Sequence, residues 1–157
     1  MSVIVQYVLV RSDLIKTLNW PVGAVIAQAC HACTAVIHMF YNDSSTQLYL
    51  QDLNSMHKII LEVPDEESLK KLSEKLDENA ISHKLWIEQP ENIATCLAVK
   101  PFPKEEVQKY FKNFKLMKSY ICIFISPQCS SASCLSTCCI LHDINPVFYA
   151  NVFRKIS

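Results

Sequence analysis

Residues 3–10 read VIVQYVLV, a β-branched, apolar run interrupted only by Gln6. Successive side chains of a strand point to opposite faces, so a strand that is apolar at both parities needs cover on both sides. The run therefore reads as a buried strand, central in its sheet. It commits the chain to an architecture that lays something over each face of that sheet.

The rest of the chain supplies the cover. A polar turn spans residues 11–19, and Trp20, Pro21, Val22 and Gly23 lead into a long apolar helix over residues 23–41. Gly23 is the only glycine, so it is expected to answer a backbone need, a positive φ or a close approach. Asn42 to Ser45 break the helix, and Ser44 or Ser45 is expected to cap a short second helix over residues 46–53. Residues 58–63 read as the second strand. Pro64 ends it, and Asp65 caps an amphipathic helix running to Asn79, with Leu69, Leu72 and Leu76 on its apolar side. Residues 81–87 and 94–99 read as two more strands. Pro101 and Pro103 punctuate a turn into a last helix over residues 104–118. The order is β-α-α-β-α-β-β-α. It predicts a single α/β domain over residues 1–118, a four-stranded mixed β-sheet with helices packed on both faces.

Fifteen basic side chains balance fifteen acidic ones. No overall field draws such a chain to nucleic acid, and any such contact needs a local patch. The N-terminus has neither a basic region nor a small-residue cleavage site, so no secretory leader is expected and a cytoplasmic location is. No transmembrane segment is expected, since residues 3–10 are far too short. The eight cysteines then read as free thiols in a reducing compartment, and no spacing matches a paired zinc motif. In Cys30-His31-Ala32-Cys33, Cys30 lies inside the long helix rather than at its start and reads as a small core residue. Residues 119–157 carry only Asp143, Arg154 and Lys155 as charged side chains. This Cys/Ser-rich, apolar tail is expected to pack poorly. The competing reading is a thiol-bearing membrane or partner anchor, since lipidation acts on clustered cysteines.

Several segments together resemble the peptidyl-tRNA hydrolase 2 family. Ala27-Gln28-Ala29-Cys30-His31-Ala32, after Gly23, is similar to its helical signature, and Arg11-Ser12-Asp13-Leu14 to the segment that ends the family's first strand. Lys58 through Leu69 resembles its strand-then-helix passage, and Thr95 through Pro101 its last strand. Residues 86–96, with Trp20-Pro21, resemble one subgroup. The resemblance covers residues 3–118. It implies hydrolysis of the ester between a peptide and the 3′ ribose of tRNA, with water as nucleophile, tRNA or peptidyl-tRNA as partner, and neither metal nor cofactor. A dimer is left open. The sequence departs from the family at Ala24, where the resemblance implies lysine. It departs again in the loop before the last strand, where Glu88 lies nearest the family's aspartate and Glu91 nearest its arginine.

On a helix, Gln28, His31, Thr34 and His38 fall within an arc of about 120°. They make one polar stripe on an apolar helix, which must meet a cleft or find partners. His31 is the candidate base, because neutral imidazole accepts protons near pH 7; Gln28 lines the cleft beside it. Asp13, at a strand end, is a candidate to orient His31. Glu88, also at a strand end, is the candidate second carboxylate. Lys16 is the candidate substitute for the missing cation, and Asn92 and Thr95 are candidate hydrogen-bond donors to substrate. Lys112 and Lys115 are candidate phosphate contacts on the last helix, where Tyr110, Phe111 and Phe114 interleave with lysines. The bland alternative for that helix is amphipathic packing. For the chain as a whole, the alternative is a non-catalytic tRNA-binding or protein-interaction module that kept the fold.

Overall fold

The apolar run folds as β1 (Ile4–Arg11), with every residue from Val5 to Arg11 buried. The computed structural model describes residues 2–118; the tail expected over residues 119–157 lies outside them. β1 is flanked on one side by β2 (His57–Val63), parallel and in register from Val5↔His57 to Arg11↔Val63. On its other side lies β4 (Ile93–Val99), antiparallel, and beyond β4 is β3 (His83–Glu88), antiparallel to β4.

Both faces are covered, as the parity of β1 requires. Val5, Tyr7 and Leu9 pack on one face with Leu69, Leu72 and Leu76 of α4 (Glu66–Glu78) and with Val107 and Phe111. Val8 and Val10 pack on the other with Leu14 of α1 (Asp13–Lys16) and with Val25, Ala32 and Val36 of α2 (Val22–Met39). Each of the buried Val, Leu and Phe side chains among them stabilises the fold by about 1.5–3 kcal/mol relative to exposure. By length and composition alone α2 could cross a membrane; here it lies along the sheet with Val25, Gln28, Ala32 and Val36 buried. α3 (Ser44–Gln51) completes that layer through Thr46 and Tyr49. Its cap is Asp43, which accepts from Ser45 N and Thr46 N, rather than either expected serine. Asp65 caps α4 through Ser68 N at 2.8 Å.

Among the described residues the sheet has six strands, not four. β5 (Phe102–Pro103) pairs with the start of β1, and β6 (Lys115–Leu116) pairs with β2. Two-residue strands leave no periodic trace in a sequence. The expected last helix is replaced by one turn, α5 (Lys104–Val107), a 3-10 turn (Gln108–Tyr110) and β6. Phe111 is the cause: it is buried, its ring 4.5 Å from that of Tyr7. Phe114 packs on the same core. Burying both aromatics draws the chain off a helical path, and β6 then covers the edge of β2.

Gly23 does not meet its expected need. No glycine has a positive φ, and a Cβ at Gly23 would meet nothing within 4 Å. Among the described residues the left-handed positions are Asn19, Ala80 and Asn92.

Candidate functional site

β1, β2 and β3 point the same way, since β3 and β1 are each antiparallel to β4. Their C-terminal ends bring Arg11, Val63 and Glu88 to one edge of the sheet, where β4 begins. In open α/β sheets this is the edge that receives ligands.

A β-bulge shapes that edge. Trp86 pairs with Cys96, and the next pair is Ile87↔Ala94, so Thr95 is the extra residue on β4. A bulge breaks the alternation of side chains and re-aims one of them. Ala94 packs on the α4 face, whereas Cys96 packs on the α2 face. Thr95 turns toward α2, where its Oγ1 donates to Gln28 Oε1 at 2.9 Å. Both side chains are buried, so each resolves the other's hydrogen-bonding requirement. Gln28 Nε2 is left to donate elsewhere.

Ala94, one residue back, has both backbone groups taken by side chains. Its N–H donates to Glu66 Oε1 at 3.2 Å, and its carbonyl accepts from Arg11 Nη1 at 2.8 Å. The buried Arg11 guanidinium also reaches both oxygens of Asp13, at 3.0 and 2.7 Å, and Glu66 Oε2 at 3.1 Å. Burial works against its charge, but Asp13, Glu66 and Asp65 more than offset this and raise its pKa. Glu66 is held below the usual carboxylate range, first by the hydrogen bond from Lys70 and, against burial, by the Ala94 N–H and Arg11.

His31 lies one turn beyond Gln28. It is exposed, and its ring stacks on the half-buried indole of Trp86 with centroids 4.9 Å apart and planes 19° apart. Trp86 Nε1 donates to Glu88 Oε2 at 2.9 Å. The polar stripe is thus divided. Gln28 belongs to the buried side of α2, His31 stands at its margin, and Thr34 and His38 face solvent.

The remaining sequence candidates have other settings. Asp13 is committed to Arg11. Lys16 Nζ lies 3.6 Å from Glu62, and Lys115, on β6 rather than a helix, is the cross-strand partner of the same Glu62. Lys112 is exposed in the turn before β6. Asn92, at φ 55°, takes the left-handed conformation that asparagine tolerates, and its Oδ1 accepts from Gln89 at 3.4 Å. Cys30, expected in the core, is exposed; Cys33 is half-buried and Cys96 buried. Burial raises the Cys33 pKa more than nearby Lys58 lowers it. Among the described residues no group of three or more His, Cys, Asp or Glu could hold a metal ion.

Three side chains at this edge were not singled out as site residues from sequence: Arg11, Glu66 and Trp86. The first two are opposite charges placed just where a strand ends and a helix begins, and that placement was the available signal.

The parallel strand ends, the bulged β4 and the helix carrying Gln28 and His31 meet at one edge of an α/β sheet, and the sequence matches the family described as "Peptidyl-tRNA hydrolase PTH2" over residues 4–117. The chain belongs to that family. It is 53% identical over 118 residues to the human protein named "Putative peptidyl-tRNA hydrolase PTRHD1", an overlap of 74% of this chain and 84% of the relative. The mouse protein of that name is 50% identical over the same shares. "Probable peptidyl-tRNA hydrolase 2" of Dictyostelium discoideum is 33% identical over 116 residues, 71% of this chain and 53% of that protein.

Proposed function

We propose that this chain hydrolyses the ester joining a peptide to the 3′ ribose of tRNA. The observation that carries the reading is the buried Gln28-Thr95 pair beside an exposed His31, at the C-terminal edge of the parallel strands. Water attacks the ester carbonyl, and His31 accepts its proton. The carbon–ribose oxygen bond breaks, and the proton passes to the ribose oxygen. Gln28, with its carbonyl end fixed by Thr95, donates from Nε2 to the oxyanion that develops. A positioned base contributes about 10²–10⁴-fold, and one oxyanion donor about 10²–10³-fold. Trp86 holds the imidazole and Glu88 holds Trp86. Lys16, Lys112 and Lys115 supply cations for the tRNA backbone and Asn92 a hydrogen bond, so binding weakens as salt rises.

A second reading, a tRNA-binding module without turnover, is favoured by Ala24. Its methyl group stands where the family resemblance implies lysine, and it neither donates a proton nor holds a phosphate. Single-turnover release of peptide from labelled peptidyl-tRNA separates the two. Cleavage by the full chain that collapses in His31→Ala supports the esterase. Bound tRNA with no cleavage above the enzyme-free rate supports the binding module.

A further inference from the structure

We propose that Arg11 and Glu66 are positioning residues. By clamping the two backbone polar groups of Ala94, they hold the β4 bulge that aims Thr95 at Gln28. The inference rests on the reading above for its effect on turnover, but not for its effect on Thr95.

Leu97 and Val99 pack on the α4 face. In an unbroken strand Thr95 would share their parity and point into the leucines of α4. A bulge is needed to bring it round to α2, and a bulge leaves its strand locally without ladder partners. The β1 side of β4 offers no replacement there. The β1–β4 pairing ends at Val10↔Cys96, and beyond Arg11 the chain bends into α1 through Ser12, whose N–H goes to Val63 O at 2.8 Å. The Ala94 peptide groups would therefore be orphaned where the strand is buried. Arg11 supplies the missing donor from the end of β1, and Glu66 the missing acceptor from the first turn of α4. The two supplying side chains are paired with each other at 3.1 Å, so neither swings away independently. Asp13 holds Arg11 from a third side.

The clamp thus links both faces of the sheet. Its parts are on the α4 side, and what it sets is the direction of a side chain on the α2 side. Regular register would release Ala94 from Glu66 and Arg11 and carry the Thr95 hydroxyl away from Gln28 in the same movement.

The test uses the full chain with threonine methyls labelled, reading the Thr95 χ1 angle from three-bond couplings of its methyl carbon, beside the single-turnover rate and the thermal midpoint. In Glu66→Ala the Thr95 couplings average between rotamers, and turnover falls about 10–100-fold, the loss expected from misplacing a site group by about 1 Å. Glu66→Gln keeps a carbonyl to accept from Ala94 N–H but sets an amide N–H against Arg11 Nη1, so it moves both readouts less than Glu66→Ala does. Lys70→Met removes the exposed partner of Glu66 and leaves both unchanged. A purely structural role for Glu66 lowers the thermal midpoint without moving the Thr95 couplings, and that outcome overturns the proposal. Should Glu66→Ala not fold, Glu66→Asp, too short to bridge Ala94 and Arg11 together, is read the same way. If the wild-type chain itself shows no turnover, the proposed reaction fails while the couplings still decide the clamp.

Discussion

The imidazole of His31 lies nearly parallel to the indole of Trp86, at 4.9 Å, and the indole N–H is held by Glu88. An exposed imidazole on a helix is free to rotate about two bonds; one laid on a fixed ring is not. Glu88 acts on this pair through Trp86.

That arrangement separates two roles a carboxylate at Glu88 could have. Glu88→Gln retains an oxygen to accept from Trp86 Nε1, so turnover should stay within a few-fold of wild type. Trp86→Ala removes the platform and should cost about 10-fold or more, of the order of a positioning loss. Single-turnover rates across pH check both. A collapse in Glu88→Gln with Trp86→Ala unaffected would instead make Glu88 a proton-transferring group.

Thr95→Val conserves shape and β-branching but removes the hydroxyl that donates to Gln28 at 2.9 Å. Gln28 Oε1 is then buried without that partner, which costs about 1–3 kcal/mol. A urea midpoint lowered with unchanged m-value is the expected result. An unchanged midpoint would mean that the pair contributes nothing to the fold.

Ala80 stands at φ 55° just after α4, where its N–H bonds to Asp77 O at 3.0 Å and Ile81 N–H to Leu76 O at 2.8 Å. This is a helix C-terminus of the kind that glycine usually closes. A Cβ there costs about 1–2 kcal/mol, against about 0.4–1 kcal/mol of extra unfolded-state entropy for glycine. Ala80→Gly should therefore stabilise the protein by about 0.5–1 kcal/mol, raising the thermal midpoint by a few degrees. A lowered midpoint would refute this balance.

What the sequence disclosed and what it withheld follow from how each feature is encoded. The central strand, the α2 and α4 layers and the Asp65 cap were legible because parity, 3.6-residue spacing and capping residues are local signals. Gln28 and His31 were singled out from their place in a helical signature, and the fold sets them one turn apart on α2, Gln28 against Thr95 and His31 on Trp86. The bulge was not. Nothing in Ile93-Ala94-Thr95-Cys96 distinguishes a strand with an extra residue from one without, because the cause lies in Arg11 and Glu66, far away in sequence. The last helix was misread because lysines and glutamates favour helix locally while Phe111, paired with Tyr7, decides the path. Gly23 was over-read: rarity in composition is no measure of conformational need, and its backbone has none.

Asp43 links the cap of α3 to the end of β4. It accepts from Lys100 Nζ at 2.8 Å and Ser45 Oγ at 2.6 Å, and the Lys100 ammonium sits 3.9 Å from the centre of the Phe102 ring. Burial alone would raise the Asp43 pKa, but the hydrogen bonds from Lys100 and Ser45 outweigh it and bring it from 3.8 to about 2. A folded-state pKa below the unfolded one means that the ionised carboxylate stabilises the fold. That stabilisation is fully present above about pH 4 and is lost as pH falls through about 2. Asp65, Glu66 and Glu105, also depressed, titrate in the same direction, so the contribution of Asp43 is read as a difference between proteins. In Lys100→Met the Asp43 pKa moves back toward 3.8. The loss of stability between pH 4 and pH 2 should then be smaller than in wild type, and stability at pH 7 should already be lower. Urea midpoints at pH 7, 4 and 2 for both proteins check the sign. Parallel pH curves would mean that Lys100 does not hold the Asp43 carboxylate in its ionised form.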